Sequence, residues 1–325
     1  MGSSPIPGTK APAYRGPYLF VREIYFPSRA FEAKFFLLMR IFLFLLTLLC
    51  CAPALSGQKK QAPSSTFDLK DALQQKLVSI TIAGTGGHMG SCLTLTCKNL
   101  RGKFLRLRIP QGQFMEPSDS AYQTLVVAEE QTVALGTKTP AQVSLSTFCA
   151  QAGDRSPASG AAFIVGAMAP EQLCKLLKFI AEKGKAGSSA AQTAVWCFTN
   201  GESLGSIDDP ELTKFAAELL GNNVPGYKIQ RQTVEIIPGE RARLGKALVV
   251  EANYQYTLEK DEKLLINLLH ADGKLVKLIS KEETLKAGEH RSSIHLEVWN
   301  LPPGKYIVRI QTKDGRVIKD LDVEF

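Results

Sequence analysis

The chain has 325 residues, 45% of them hydrophobic and 22% charged. This is ordinary globular usage with room for two domains at about 150 residues each, and it excludes a disordered or low-complexity protein. With His at 4, ligands for a multinuclear metal centre or a proton relay are scarce, so neither a metal nor any other cofactor is expected.

Residues 1–38 are rich in Pro, Gly and aromatic side chains without useful periodicity. From Met39 the pattern sharpens. Arg40 is a short basic region, Ile41 to Leu49 is apolar, and Ala52-Pro53-Ala54-Leu55-Ser56 offers small residues to a signal peptidase. Residues 39–56 therefore predict a secretory signal within a leader of residues 1–57, with translation expected to begin at Met39. A signal anchor over Phe35 to Leu55 is the alternative, disfavoured because the apolar run is short and ends at Pro53. The expected location is secreted or cell surface, with the periplasm and the inner membrane as alternatives. The leader carries six basic and two acidic residues, so the remainder holds 33 basic against 29 acidic, a net charge of +4 rather than +8. Nucleic acid is then a poor partner, and membrane contact is expected only through an uncleaved leader. The cluster Lys98, Arg101, Lys103, Arg106 and Arg108 reads as a solvated sheet face.

After a polar linker over residues 58–67, apolar residues recur every second position. Val78, Ile80 and Ile82 are followed by Leu93, Leu95 and Cys97, then by Leu105, Leu107 and Ile109. Leu125 to Val127, Val133 with Leu135, and Val143 with Leu145 continue the pattern. Short strands separated by Gly, Pro, Asn and Asp predict an antiparallel sandwich. Gly84 to Gly90 lacks the Lys-Ser/Thr of a phosphate loop and reads as a turn. Over residues 170–221 the spacing becomes helical: Leu173, Leu176, Leu177 and Ile180 form one stripe, and Ala191, Ala194, Val195 and Phe198 another. The third helix has Asp209 as cap, Pro210 as first residue and Gly221 as stop. Three short helices cannot bury themselves, so they are expected on the sandwich, completing a first domain of residues 68–222.

Residues 223–229 read as a linker, and strand signals return over 230–325. Asp272-Gly273 and Asp314-Gly315 mark tight hairpins, and Ile294, Leu296 and Val298 alternate, as do Tyr306, Val308 and Ile310. The fold class is therefore mainly β: two antiparallel β-sandwich domains, the first with a three-helix segment, the second Ig-like.

Two resemblances rest on short motifs. Leu301-Pro302-Pro303-Gly304-Lys305-Tyr306-Ile307-Val308-Arg309-Ile310, with Asp314 to Lys319, Ala271 to Lys277 and Leu285 to His290 upstream and downstream of it, resembles a type IX secretion C-terminal sorting domain of Bacteroidota. The resemblance implies a Gram-negative host and the type IX secretion machinery as a partner. Sorting domains end on a Lys and an apolar run, whereas Leu321-Asp322-Val323-Glu324-Phe325 is acidic. Phe148-Cys149 and Gln192-Thr193-Ala194-Val195-Trp196 resemble the two motifs of thioester (TQXA) domains of bacterial surface adhesins. That resemblance implies a bond between Cys149 and Gln192, although the 43-residue spacing is short for the family.

Outside the leader the cysteines are Cys92, Cys97, Cys149, Cys174 and Cys197, an odd number. Cys92 and Cys97, five apart, should face opposite sides of one strand. Gly201-Glu202-Ser203-Leu204-Gly205 matches a nucleophile elbow in the wrong context, with a helix before it and no parallel sheet; His270 and Asp208 or Asp209 are its nominal partners only by order. The sequence thus predicts an exported, non-enzymatic surface or periplasmic binding or structural module with no catalytic residues, whose surface ligand or protein partner it does not name. A covalent thioester adhesin through Cys149 and Gln192 is the alternative, and a serine hydrolase through Ser203 the remote one.

Overall fold

The computed structural model describes residues 65–325, which form one compact unit. The signal sequence, its cleavage site and the anchor alternative lie outside the described residues. No helix among the described residues is long and apolar enough to cross a membrane. The expected class holds: the structure is mainly β, with antiparallel sheets and few helices.

In chain order the first half comprises β1 (Thr66–Asp68), α1 (Leu69–Gln74), β2 (Val78–Gly84), β3 (Met89–Asn99), β4 (Leu105–Ile109), β5 (Gln113–Pro117), β6 (Leu125–Val127), β7 (Gln131–Leu135), β8 (Ala141–Cys149) and β9 (Ala162–Met168). The sheet here rolls further than an open sandwich layer. Six strands pair in the order β2-β3-β8-β6-β5-β9, and β9 returns to β2 through Phe163 opposite Ile82, closing a barrel. Closure buries the inner face without a second complete layer, and Leu93, Leu95, Leu125 and Leu145 have no exposed surface. The three-stranded sheet β1-β4-β7 shares that core through Leu107, Ile109 and Leu135. Arg108 pairs with Asp68 across β4 and β1, while Lys98, Arg101, Lys103 and Arg106 are exposed, as a solvated face requires.

One alternation fails. The pairing of β3 with β8 shifts register between Ser91 and Leu93, and Cys92 becomes buried beside Leu93. The bulge turns Cys92 inward, so Cys92 and Cys97 both face the core instead of opposite sides. All five cysteines of the described residues are free.

The helices α2 (Glu171–Glu182), α3 (Ser189–Thr199) and α4 (Pro210–Leu220) follow. The stripe of α2 is buried, and Ser188 accepts the Ala191 N–H at 3.1 Å to cap α3. Asp209 accepts the Leu212 N–H at 3.0 Å, Pro210 occupies the first turn, and Gly221 ends α4 in the left-handed region at φ 68°. The three pack against Val126 and Phe148, whose side chains leave the barrel on the face opposite its core.

The second half is a seven-stranded sandwich: β10 (Tyr227–Arg231), β11 (Ala247–Leu258) and β14 (Gly288–Glu297) form one sheet, and β13 (Leu275–Leu285), β12 (Glu262–His270), β15 (Lys305–Thr312) and β16 (Val317–Glu324) the other. Val250, Ile294 and Leu296 share a core with Leu268, Val308 and Ile310. Gly273, at φ 84°, supplies the tight turn between β12 and β13.

The segments read as linkers are more structured than their composition indicates. β1 begins at Thr66 and β10 at Tyr227, inside the stretches 58–67 and 223–229. Residues 232–246, placed by sequence in the second sandwich, instead form a strap that returns to the barrel. The Ala242 N–H donates to Asp154 O at 3.0 Å, the Gly153 N–H to Ala242 O at 2.7 Å, and the Ser156 N–H to Glu240 O at 2.7 Å. Ala242 is fully buried in the barrel core. The barrel and the strap therefore share one core, although the strap lies beyond the first domain in sequence.

Candidate functional site

The structure brings Cys149 and Gln192 together, but through the backbone of one and the side chain of the other. Cys149 ends β8 and Gln192 sits in the first turns of α3, both buried. The Cys149 N–H donates to Gln192 Oε1 at 2.9 Å, and Gln192 Nε2 donates to Cys149 O at 2.8 Å. In an extended strand the N–H and C=O of one residue point the same way, so the carboxamide docks on Cys149 as a neighbouring strand would. Burial pushes the Cys149 thiol well above its ordinary range, and the nearby Cys92 sulfur adds to the shift. A thiol so held stays protonated at neutral pH. Both ends of the carboxamide are engaged, and a thioester needs the thiolate against that carbonyl carbon. The arrangement favours a non-covalent clamp between barrel and helix.

Ser203 starts the short 3-10 turn Leu204–Ser206, and its Oγ accepts the Gly205 N–H at 3.3 Å and lies 3.2 Å from Tyr227 Oη. Neither partner is a general base. The nominal partners are engaged elsewhere: His270 lies against the Tyr306 ring, Asp209 caps α4 and pairs with Lys185, and Asp208 faces Lys228 at 3.8 Å. Ser203 thus works as a cap and does not meet the groups a hydrolytic triad needs. Among the described residues no group of three or more His, Cys, Asp or Glu is placed to hold a metal ion.

A feature that residue-by-residue reading misses is a cavity of about 600 Å³ where α3, β10 and the strap converge. Gln192, Thr193 and Trp196 of α3 line it, with Ile229 and Arg231 of β10 and, across from them, strap residues such as Ile236 and Leu244. His88, from the turn after β2, also borders it, and burial holds its imidazole below the ordinary range. The clamp explains the location: by fixing α3 on β8, Gln192 sets the α3 wall of the cavity. The motif around Gln192 and Trp196 marks one wall, but the cavity itself is not legible in the sequence, because α3 meets His88 and the contiguous β10 and strap from far along the chain.

Neither a family model nor a curated protein matches the chain. Among solved structures, a β-glucosidase from Kluyveromyces marxianus aligns at 11% identity over 72% of this chain and 44% of that one, with a TM-score of 0.18. The chain spans less than half the length of that enzyme, and a superposition this poor carries no argument about fold or activity.

Proposed function

We propose that the chain is an exported, non-enzymatic binding module that takes a small ligand into the cavity between α3, β10 and the strap. The observation that carries this reading is the cavity itself. Its volume of about 600 Å³ lies in the usual range for small-molecule sites, and it mixes apolar walls with a few convergent polar groups. Trp196, Ile236 and Leu244 provide the apolar surface and Thr193 and Arg231 the polar groups. Export is part of the proposal and rests on residues 39–56; surface delivery through the terminal sandwich rests on the resemblance to sorting domains.

Screening small metabolites by thermal shift tests it, since a ligand that binds only the folded state raises the melting temperature. At least one compound should stabilise the native protein and fail to stabilise Val234→Trp. Val234 lines the cavity from an exposed position, so a larger side chain there fills it without disturbing the core. A broad library with no such compound would overturn the reading.

A further inference from the structure

The wall of this cavity offers more positive hydrogen-bond donors than the fold uses. The Arg231 side chain is 17% exposed. Its Nε–H donates to Ser206 Oγ at 3.0 Å and Nη1 to Gly245 O at 3.1 Å, while Nη2 stands 4.0 Å from Glu202 Oε2, too far for a hydrogen bond. A guanidinium has five N–H donors, so three of them meet no acceptor among the described residues. Burial lowers the affinity of Arg231 for its proton, with Glu202 opposing, but an arginine remains charged under any physiological condition. Arg243 borders the same cavity, and among the described residues it makes neither an ion pair nor a side-chain hydrogen bond. The acidic groups at the rim have partners of their own: Asp208 faces Lys228 at 3.8 Å, and Glu251 Oε1 accepts from Gln230 at 2.8 Å and lies 3.3 Å from His295. Trp196, 2% exposed, also lines the cavity, and its indole N–H has no acceptor.

A largely desolvated, partly compensated cation is costly unless an anion joins it. The apolar surface beside it suits the body of the same ligand. Resting on the proposed binding function, we infer that the cavity takes an amphipathic organic anion: an oxyanion head between Arg231 and Arg243, and an aliphatic or aromatic body along Trp196, Ile236 and Leu244. A guanidinium meets carboxylate, sulfonate and phosphate heads with the same paired donors, so these share one recognition chemistry.

The test uses the protein with Trp299→Phe, which removes the exposed second tryptophan and leaves Trp196 as the only indole. Anilinonaphthalene sulfonate, an aromatic sulfonate, is the probe. It should bind saturably with energy transfer from Trp196, and octanoate should displace it better than octanol or inorganic phosphate does. Arg243→Gln, at an exposed position with no partner to lose, should weaken binding about tenfold, the scale of one charge-assisted hydrogen bond. Binding that ignores Arg243→Gln and added salt, or octanol competing as well as octanoate, would overturn the anionic head and leave the cavity reading standing. Phosphate competing as well as octanoate would overturn the apolar body. Equal binding by the native chain and Val234→Trp, read by direct excitation of the probe, or no saturable binding at all, would overturn both.

Discussion

The carboxamide of Gln192 closes a two-bond ring with the backbone of Cys149, at 2.9 and 2.8 Å, and so joins the end of barrel strand β8 to the helix that walls the cavity. Both partners are buried, which makes the ring costly to open: a buried donor or acceptor left unpaired costs about 1–3 kcal/mol. Gln192→Ala abandons two such groups and should destabilise the protein by about 3 kcal/mol, read from denaturant midpoints. Gln192→Glu keeps an acceptor for the Cys149 N–H but, when ionised, sets an oxygen against Cys149 O. The acid form restores the donor, so the folded state raises the pKa of this carboxyl above its unfolded value near about 4.3. A raised pKa gives stability that is present at low pH and lost as pH rises through the folded value. This variant should therefore approach native stability in acid and fall away toward neutrality, and a flat difference between the two pH extremes would argue against the ring.

The strap makes a second test. Gly245 sits so close to its neighbour that an added Cβ would lie 1.8 Å from Gln232 O, which no backbone tolerates. Gly245→Ala must displace the strap, and with it the Leu244 and Arg243 side of the cavity. Ala242→Asp places a carboxylate in the barrel core and should cost several kcal/mol on the scale of unpaired buried charge. The barrel should melt earlier in both variants even though both changes lie beyond the first domain in sequence. A second sandwich that loosens while the barrel melts normally would show the strap to be passive.

Helix α4 was fully legible because its signals are local: Asp209, Pro210 and Gly221 each act within one turn. The strands of the first half were legible for the same reason, through period-two alternation. Barrel closure was not, because β9 is a short apolar run, Ala162-Phe163-Ile164-Val165, without period-two alternation, and its place is set by pairing Phe163 with Ile82 some eighty residues earlier. The strap was hidden too. Its residues are mostly exposed, and the buried one, Ala242, is too small to stand out in a hydropathy pattern. Of the site, Cys149 and Gln192 were found by motif and are adjacent in space, but the motif did not show which of their atoms meet. Arg231 was missed because a lone arginine in a polar stretch reads as solvated.

Asp209 carries a pH dependence whose sign can be worked out. The Lys185 ammonium holds its carboxyl below the ordinary range, and the Leu212 N–H adds to this. A lowered folded pKa gives stability that is complete above the unfolded value near about 3.9 and fades as pH falls through the folded one. Asp209→Asn keeps an oxygen for the cap but loses the attraction to Lys185. Its stability deficit relative to the native chain should be present at neutral pH, begin to shrink below about pH 4, and close once the folded Asp209 is itself protonated. A deficit that grows in acid would contradict this assignment of the charge.

The terminal sandwich should be removed after Lys246 rather than at Gln230, so that the strap stays on the barrel. If residues 247–325 direct surface delivery, the truncated chain should remain protected against protease added to intact cells and accumulate in the periplasm. Unchanged surface exposure would make the sandwich an ordinary Ig-like module.

Cysteine reactivity separates the clamp from a thioester. Cys149 is buried with its thiol pushed up, Cys92 and Cys97 are buried and pushed up to about 11, and Cys197 to about 12. Thiolate fraction sets the rate of alkylation, so all four should resist iodoacetamide in the native protein. Cys174 is the partly exposed one, and although burial and the Glu171 charge raise its pKa as well, it should be labelled first. The clamp leaves the Gln192 carboxamide intact, so the mature protein should show its full mass with no loss of ammonia, and methylamine should not add at Gln192. After unfolding, Cys149 should alkylate like any free cysteine, since no bond holds its sulfur. A mass short by one ammonia that is recovered in Cys149→Ala, with methylamine incorporated at Gln192, would reverse this assignment: the carbonyl carbon of Gln192 would then have bonded to the Cys149 sulfur with its nitrogen leaving as ammonia, and the hydrogen bond from Nε2 to Cys149 O would be lost with that nitrogen.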